Sequence, residues 1–435
     1  MPAIAFSMDI SDGSVPDESE RNLNTLRLTS VRRMYRFIEA GRLRLVLLTA
    51  AMISITGANR AGANDAVDPS TLKHLAGHWY VSQTDPAVYY YKDAEQYLDL
   101  FSYHRKDSNK DGIDNVVLSH TETHLIMDSQ GYPNHPTAIF PNSGNPNRIE
   151  IQKFRFQLPL EPKLNDRITR LPMGPIGTAV NGVVYFNPFE QGGMNAVEGY
   201  SEVWLDSCCG HPQQTGVYHY HKYPVCVKSP FKDNGKQHSP VIGFAFDGFP
   251  IYGPYESEGL MAKDATAELT LDACNGHTES VRGYHYHVTP GRFPYIIGGY
   301  AGVPEPANIR GHRGLETGAI EDNSSGESSQ PKVIAAVRPA NGKPGTKQKL
   351  EIELDPSQAT RARVPEGTPD WVQVGPFEAV SIERAGNVLH VEIQIPDDAT
   401  LGVLMDCHIE FKAANRPRAV FKRNDVFRVV EVEDP

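Results

Sequence analysis

The sequence predicts a mainly β protein: an irregular, loop-rich β domain with an internal pseudo-twofold repeat, followed by a smaller β-sandwich. Three observations lead there. Glycine (37) and proline (33) are abundant in the 435 residues, short apolar stretches alternate with turn dipeptides, and long helical periodicity is scarce. A sixteen-residue pattern occurs twice without a gap, 66 positions apart, and eight of its sixteen positions are identical. Beyond residue 331 short strand-like segments recur at close spacing.

The first 63 residues read as an extension and export signal. Arg32, Arg33, Arg36, Arg42 and Arg44 precede an apolar run at 45–55, and small residues follow as far as Ala61-Gly62-Ala63. A basic region, a short apolar core and an A-x-A-like site describe a secretory signal peptide, and the run is short for a membrane span. Residues 1–33 are polar, which makes Met34 an alternative start. The expected location is therefore periplasmic, secreted or cell-surface, with no integral membrane segment after cleavage.

Residues 64–119 form a mixed lead-in segment. Asp107, Asn109, Asp111 and Asn115 carry oxygens at positions 1, 3, 5 and 9 of a calcium-type loop, but Leu118 stands where such a loop needs a bidentate glutamate. Calcium is an expected cofactor only in a structural role, against the alternative of an Asx-rich turn.

The core domain is expected over 120–311, with strands at 149–158 and 183–186 and an ordered loop at 171–182. The repeat lies within it. Its first copy contains Asp206, Cys208, Gly210, His211, Tyr218, His219, Tyr220 and His221; its second contains Asp272, Cys274, Gly276, His277, Tyr284, His285, Tyr286 and His287. In a strand, Tyr-His-Tyr-His puts both tyrosines on one face and both histidines on the other. Histidines two apart lie roughly 6–7 Å from each other at Cα, within tilting distance of one metal ion. The six histidines are thus expected to converge on one centre. Imidazole ligation suits a transition metal, with copper favoured over zinc or iron. Asp206 and Asp272 are expected to fix a histidine tautomer or form turns, and the four tyrosines to flank the ligands. Asp247, in an Asp-Gly turn, either caps that turn or acts beside the histidines. Residues 228–238 are polar and expected to be exposed.

Cys208, Cys209, Cys226 and Cys274 lie in or beside the repeat, as an oxidising compartment allows. Two pairings are compatible with adjacent Cys208 and Cys209. The favoured one is Cys208–Cys274 with Cys209–Cys226; the other is Cys208–Cys226 with Cys209–Cys274. Cys-x-x-His ligation is a competing use of Cys208 and Cys274. Cys407 is expected to be a buried free thiol.

The stretches at 216–221, 283–287, 176–183 and 242–254 resemble the YHYH domain family over about residues 120–305. The resemblance implies a secreted or extracytoplasmic domain and no settled activity.

Residues 312–331 gain Ser, Gly, Glu and Asn and read as a linker. Segments 333–337, 350–354, 388–395, 402–411 and 426–432 then alternate with turns. About seven short strands in about 100 residues read as an immunoglobulin-like sandwich over 332–435, and 337–345 resembles bacterial immunoglobulin-like modules.

The net charge of −11, spread along the chain, argues against a nucleic-acid partner. No nucleophile elbow, phosphate loop, HExxH or paired-glutamate signature occurs, so the sequence assigns no catalytic residue. The expected function is an exported metal-binding protein, a copper-dependent oxidoreductase if redox-active. The alternatives are a non-catalytic module that binds a small molecule or cell-surface polymer, and a zinc-dependent hydrolase.

Overall fold

The computed structural model describes residues 67–104, 107–189, 194–199, 202–227, 233–309, 330–412 and 417–431. The signal segment 1–63 and all but the last two residues of the linker lie outside the described residues. The chain is mainly β; its only α-helices among the described residues are the short α1 (Pro306–Ile309) and α2 (Pro356–Arg361). No described helix is long and apolar enough to cross a membrane.

The lead-in folds as an antiparallel four-stranded meander: β1 (Leu72–Ala76), β2 (Trp79–Ser82), β3 (Tyr89–Asp93) and β4 (Gln96–Leu98). Alternation of buried and half-buried residues along β2 and β3 gives it one apolar face. That face carries Trp79 and Tyr91, whose rings meet Phe244 of the following region, tilted at 5.1 Å and edge-on at 5.5 Å. One apolar core therefore runs from Trp79 to Ala301 and takes in Val403. Three strands follow, β5 (Val116–His120), β6 (His124–Ser129) and β7 (Phe154–Pro159), paired in that order. The strand expected at 149–158 begins only at Phe154; before it, Glu150 and Gln152 donate single backbone bonds to Gly216 and Gln130. After β8 (Leu164–Thr169), the stretch expected as a loop at 171–182 contains β9 (Pro175–Ala179), buried throughout its last four residues.

The sheet that positions the histidines has eight strands. Besides β9 they are β10 (Val184–Phe186), β11 (Gly210–Pro212), β12 (Tyr218–Tyr220), β13 (Val241–Ala245) and β14 (Pro250–Tyr252). After the small hairpin β15 (Tyr255–Ser257) and β16 (Leu260–Met261) come the last two, β17 (Gly276–Glu279) and β18 (Gly283–His287). The order is β11-β12-β10-β9-β13-β14-β18-β17. Pairings on one side recur on the other with 66 added to each residue number: His211 faces His219 and His277 faces His285, Tyr185 faces Tyr220 and Ile251 faces Tyr286, and Val184 faces Thr178 and Pro250 faces Phe244. At the centre β9 and β13 pair antiparallel, Thr178 against Phe244, flanked by Gly177 against Ala245 and Ala179 against Gly243. Each histidine hairpin is consequently an outermost strand pair, with four strands between β12 and β18.

β19 (Tyr300–Gly302) pairs with β8. The C-terminal region has its own apolar core, enclosed by β20 (Ile334–Arg338), β21 (Asn341–Gly342), β22 (Lys347–Leu354), β23 (Trp371–Val374), β24 (Phe377–Ala385), β25 (Val388–Gln394), β26 (Met405–Phe411) and β27 (Ala419–Val429). Their order is β20-β22-β25-β24-β23-β26-β27-β21. β21, β23 and β24 fall outside the expected segments, and β27 starts seven residues earlier than expected. Two buried ion pairs tie this region to the histidine sheet: Lys222, next to His221, to Asp406 at 3.0 Å, and Lys422 to Glu202 at 3.1 Å. Beside them Trp204 meets the His408 ring edge-on at 4.8 Å.

Candidate metal centres

Each hairpin is built by the same local chemistry. A turn precedes its first strand, with Cys209 and Asn275 at the same position in the left-handed region (φ 67° and 63°). One oxygen of Asp206 accepts from the Cys208 and Gly210 amides; one of Asp272 accepts from the Cys274 and Gly276 amides. The other oxygen of each carboxylate accepts a tyrosine hydroxyl, Tyr218 to Asp206 at 2.8 Å and Tyr284 to Asp272 at 2.9 Å. The two aspartates thus lock the turn to the tyrosine face and make no bond to a histidine. Burial pushes the Asp206 carboxyl up to about 7.

Strand alternation holds as expected: the tyrosines point to one side and the histidines to the other. Tyr286 donates to Asp247 at 2.5 Å, and Asp247 also accepts from the Gly302 and Phe249 amides. Asp247 therefore caps its own turn and anchors the tyrosine face. Sixty-six positions earlier Asn181 donates to Tyr220, whose hydroxyl also lies 2.6 Å from His135 Nε2.

On the histidine side, four backbone carbonyls set the tautomers. His219 Nδ1 lies 3.0 Å from Val217 O and His285 Nδ1 lies 3.0 Å from Gly283 O. His221 Nδ1 reaches Asn187 O at 2.8 Å and His287 Nδ1 reaches Gly253 O at 2.7 Å. A carbonyl only accepts, so each of these rings carries its proton on Nδ1 and turns an Nε2 lone pair inward. The tautomer-fixing role belongs to these carbonyls, and the aspartates fill the other role expected of them, that of forming turns.

The histidines divide between the two hairpins instead of forming the single centre expected, with His277 tied to the second by its 3.1 Å approach to His285. His211, His219 and His221 bring donor atoms within 4.8 Å of one another, as do His238, Glu256, His285 and His287. The strand order is the reason: the hairpins occupy opposite ends of the eight-stranded sheet. All the repeat histidines are buried, none above 6% exposed.

In the first centre His219 Nε2 and His221 Nε2 stand 3.1 Å apart. His211 differs from them, because the Asn145 amide nitrogen lies 3.2 Å from its Nδ1; ligation through Nε2 there requires that amide to turn. Burial holds His221 down at about 4, so its ring is neutral at pH 7. In the second centre His277 Nε2 lies 3.1 Å from His285 Nε2. Glu256 Oε2 lies 3.2 Å from His277 Nε2 and 3.3 Å from His287 Nε2. Burial pushes His285 down to about 2.

Donors about 2.0–2.1 Å from one tetrahedral ion stand about 3.3 Å from each other. The 3.1–3.3 Å separations fit that figure.

Glu256 and His238 escaped the sequence reading. His238 closes the polar segment expected to be exposed, yet its Nε2 is buried and its ring lies 5.0 Å from that of His287. One signal was available for Glu256. The 66-residue spacing extends beyond the sixteen-residue pattern, pairing Ile176-Gly177 with Ile242-Gly243 and Glu190 with Glu256. Glu190 lies outside the described residues.

The cysteines depart from the favoured pairing. Cys208 bonds Cys226, and Cys209, Cys274 and Cys407 are free and buried. Cys208 is therefore not a thiolate ligand. The Cys208–Cys274 bond would join the two outermost hairpins, which the strand order separates. In the calcium-type loop, Asp107 accepts from the Asp111 and Gly112 amides, and Asp111 from the Ile113 amide and Gln130 side chain. Asn115 is buried and bonds Ser108 and Tyr132, while Asn109 bonds Gln130. These are the contacts of an Asx-rich turn.

No curated protein and no solved structure matches the chain. The family described as YHYH protein matches residues 155–268, a span that holds the first histidine hairpin, His238 and Glu256 and ends before the second hairpin.

Proposed function

We propose that this chain is an exported transition-metal-binding protein that holds ions at two buried histidine centres, with copper as the metal. One observation carries the reading. The Nδ1 protons of His219 and His221 are committed to carbonyls, so two lone pairs confront each other at 3.1 Å. Without a cation between them that contact is repulsive, and burial opposes an imidazolium there. Neutral imidazoles rank copper highest among the divalent first-row ions. The burial of every repeat histidine favours holding a metal over turning over a substrate, since a catalytic ion needs an open position.

Export is supported by the basic and apolar segments of the first 63 residues and by the Cys208–Cys226 disulfide. The C-terminal strand order, β20-β22-β25-β24 continuing into β23-β26-β27, supports reading this region as an immunoglobulin-like sandwich. Its work in this reading is to brace the first centre through Lys222 and Lys422.

Elemental mass spectrometry on residues 64–435, purified from a periplasmic host without chelators, tests the proposal. Two equivalents of copper per chain, with nitrogen superhyperfine structure in the electron paramagnetic resonance spectrum of the oxidised protein, are expected. A protein that stays metal-free after reconstitution overturns it.

A further inference from the structure

Resting on the two-centre reading, we infer that Glu256 is a metal ligand, and that it makes the second centre a mixed imidazole–carboxylate site for a divalent first-row cation. Its ligands are His277, His285, His287 and Glu256, with His238 as a further nitrogen donor.

Glu256 turns one carboxylate oxygen toward two imidazole nitrogens, His277 Nε2 at 3.2 Å and His287 Nε2 at 3.3 Å. Its Oε2 is buried and lies 3.3 Å from His287 Nε2, also buried, yet neither atom has a hydrogen bond among the described residues. The His287 proton is committed to Gly253 O at 2.7 Å. Two acceptors thus face each other at 3.3 Å, the arrangement already met at His219 and His221 but with a carboxylate as one member. His285 Nε2 is a third acceptor, because its own proton goes to Gly283 O. Three lone pairs aimed at one buried point call for a positive occupant there, a metal ion or a proton.

His238 adds a fourth nitrogen from another direction. Its Nδ1 faces Ser239 O at 2.9 Å, which leaves Nε2 as the inward, bare atom. That atom is buried without a hydrogen bond among the described residues. Its donor lies within 4.8 Å of those of Glu256, His285 and His287. The Tyr252 ring, edge-on to His238 and His285 at 4.8 and 5.0 Å, packs between the donors and the lead-in sheet.

The carboxylate decides the class of ion. Imidazoles alone leave a divalent ion with its full charge buried, whereas one carboxylate halves it. A mixed nitrogen–oxygen set also suits the harder divalent ions better than monovalent copper. The competing occupant is a proton on His277 or His287, which would make Glu256 half of a metal-free ion pair.

Two measurements on the whole exported chain separate these cases. In crystals of the unsubstituted protein soaked with Zn²⁺, anomalous scattering at the zinc edge is expected to show a peak about 2 Å from Glu256 Oε2. A peak bonded to the histidines but beyond about 3 Å from Glu256 overturns the assignment of the carboxylate. A peak at the first centre with none at the second means the proton is the occupant, and overturns the inference while leaving metal binding at the other hairpin intact. No peak at either hairpin overturns the two-centre reading with it. In solution, Glu256→Gln is expected to weaken Zn²⁺ binding at one of two sites by at least about 100-fold and to leave the other unchanged. Two unchanged sites in that variant overturn the inference.

Discussion

The Tyr284 hydroxyl donates to Asp272 at 2.9 Å, and the bond closes over Gly276 with no room for a side chain. A Cβ on Gly276 would stand 2.1 Å from the Tyr284 oxygen. The Tyr218–Asp206 bond closes over Gly210 in the same way, at 2.3 Å. The tyrosine–aspartate lock is therefore what sets each histidine strand against its partner.

From that relationship, Gly276→Ala should break the lock on the second hairpin alone. We expect a loss of about 1–3 kcal/mol in stability, the usual cost of overpacking a closed site. Metal content should fall by no more than one equivalent. Thermal melts and elemental analysis on the same preparation check this, and an unchanged melt would show that the turn yields without cost.

His219→Ala should remove one equivalent of metal, His285→Ala another, and the double variant both. A single shared centre would instead lose everything with either substitution. Elemental mass spectrometry of the three variants distinguishes the patterns. The separate apolar core of the C-terminal strands should keep its cooperative transition in all three, which calorimetry would report.

Much of this was legible in the sequence, and the parts that were not share a cause. Strand alternation placed the tyrosines and histidines on opposite faces because period two is a local property. The number of centres was not local. It depends on Thr178 of β9 pairing with Phe244 of β13, which puts the two hairpins at the ends of the sheet. His238 stands alone in its segment, and only the 66-residue spacing from Glu190 marked Glu256, outside the sixteen-residue pattern. The carbonyls that fix the histidine tautomers belong to the backbone and leave no trace in residue type. The cysteine pairing failed for the same reason as the single centre, since it assumed the two copies meet. The lead-in looked separate because nothing in Tyr89-Tyr90-Tyr91 shows that Tyr91 reaches Phe244.

Reduction of Cys208–Cys226 should act on one centre. The bond spans 18 residues of sequence that include His211, His219 and His221, while the second hairpin carries no disulfide among the described residues. Opening it should cost about 3 kcal/mol and release metal from the first centre, leaving one equivalent. Metal analysis after treatment with a thiol-free phosphine reductant reads the outcome; loss of both equivalents together would show that the hairpins are coupled through the sheet.

The last prediction concerns pH. Asp233 is half-buried, accepts one bond from the Ser239 hydroxyl at 2.9 Å, and has its other oxygen buried without a hydrogen bond among the described residues. Burial pushes its carboxyl up to about 7, from an ordinary value of 3.8. Between those two values the folded protein holds a proton that the unfolded chain has released. Stability from this group is thus fully present below about pH 4 and declines as pH rises to about 7, by at most about 4 kcal/mol. His135, pushed down to about 4 by burial, acts with the opposite slope: the unfolded chain takes up its proton first as pH falls below about 6.5, so that contribution is lost towards pH 4. Asp233→Asn removes the first slope and spares the second. Denaturant melts of metal-free protein from pH 4 to 8 should therefore show the variant gaining stability relative to the parent as pH rises, with the difference levelling off above about pH 7. A difference that stays constant across that range would mean Asp233 is ionised in the fold, and that its buried oxygen has found a donor.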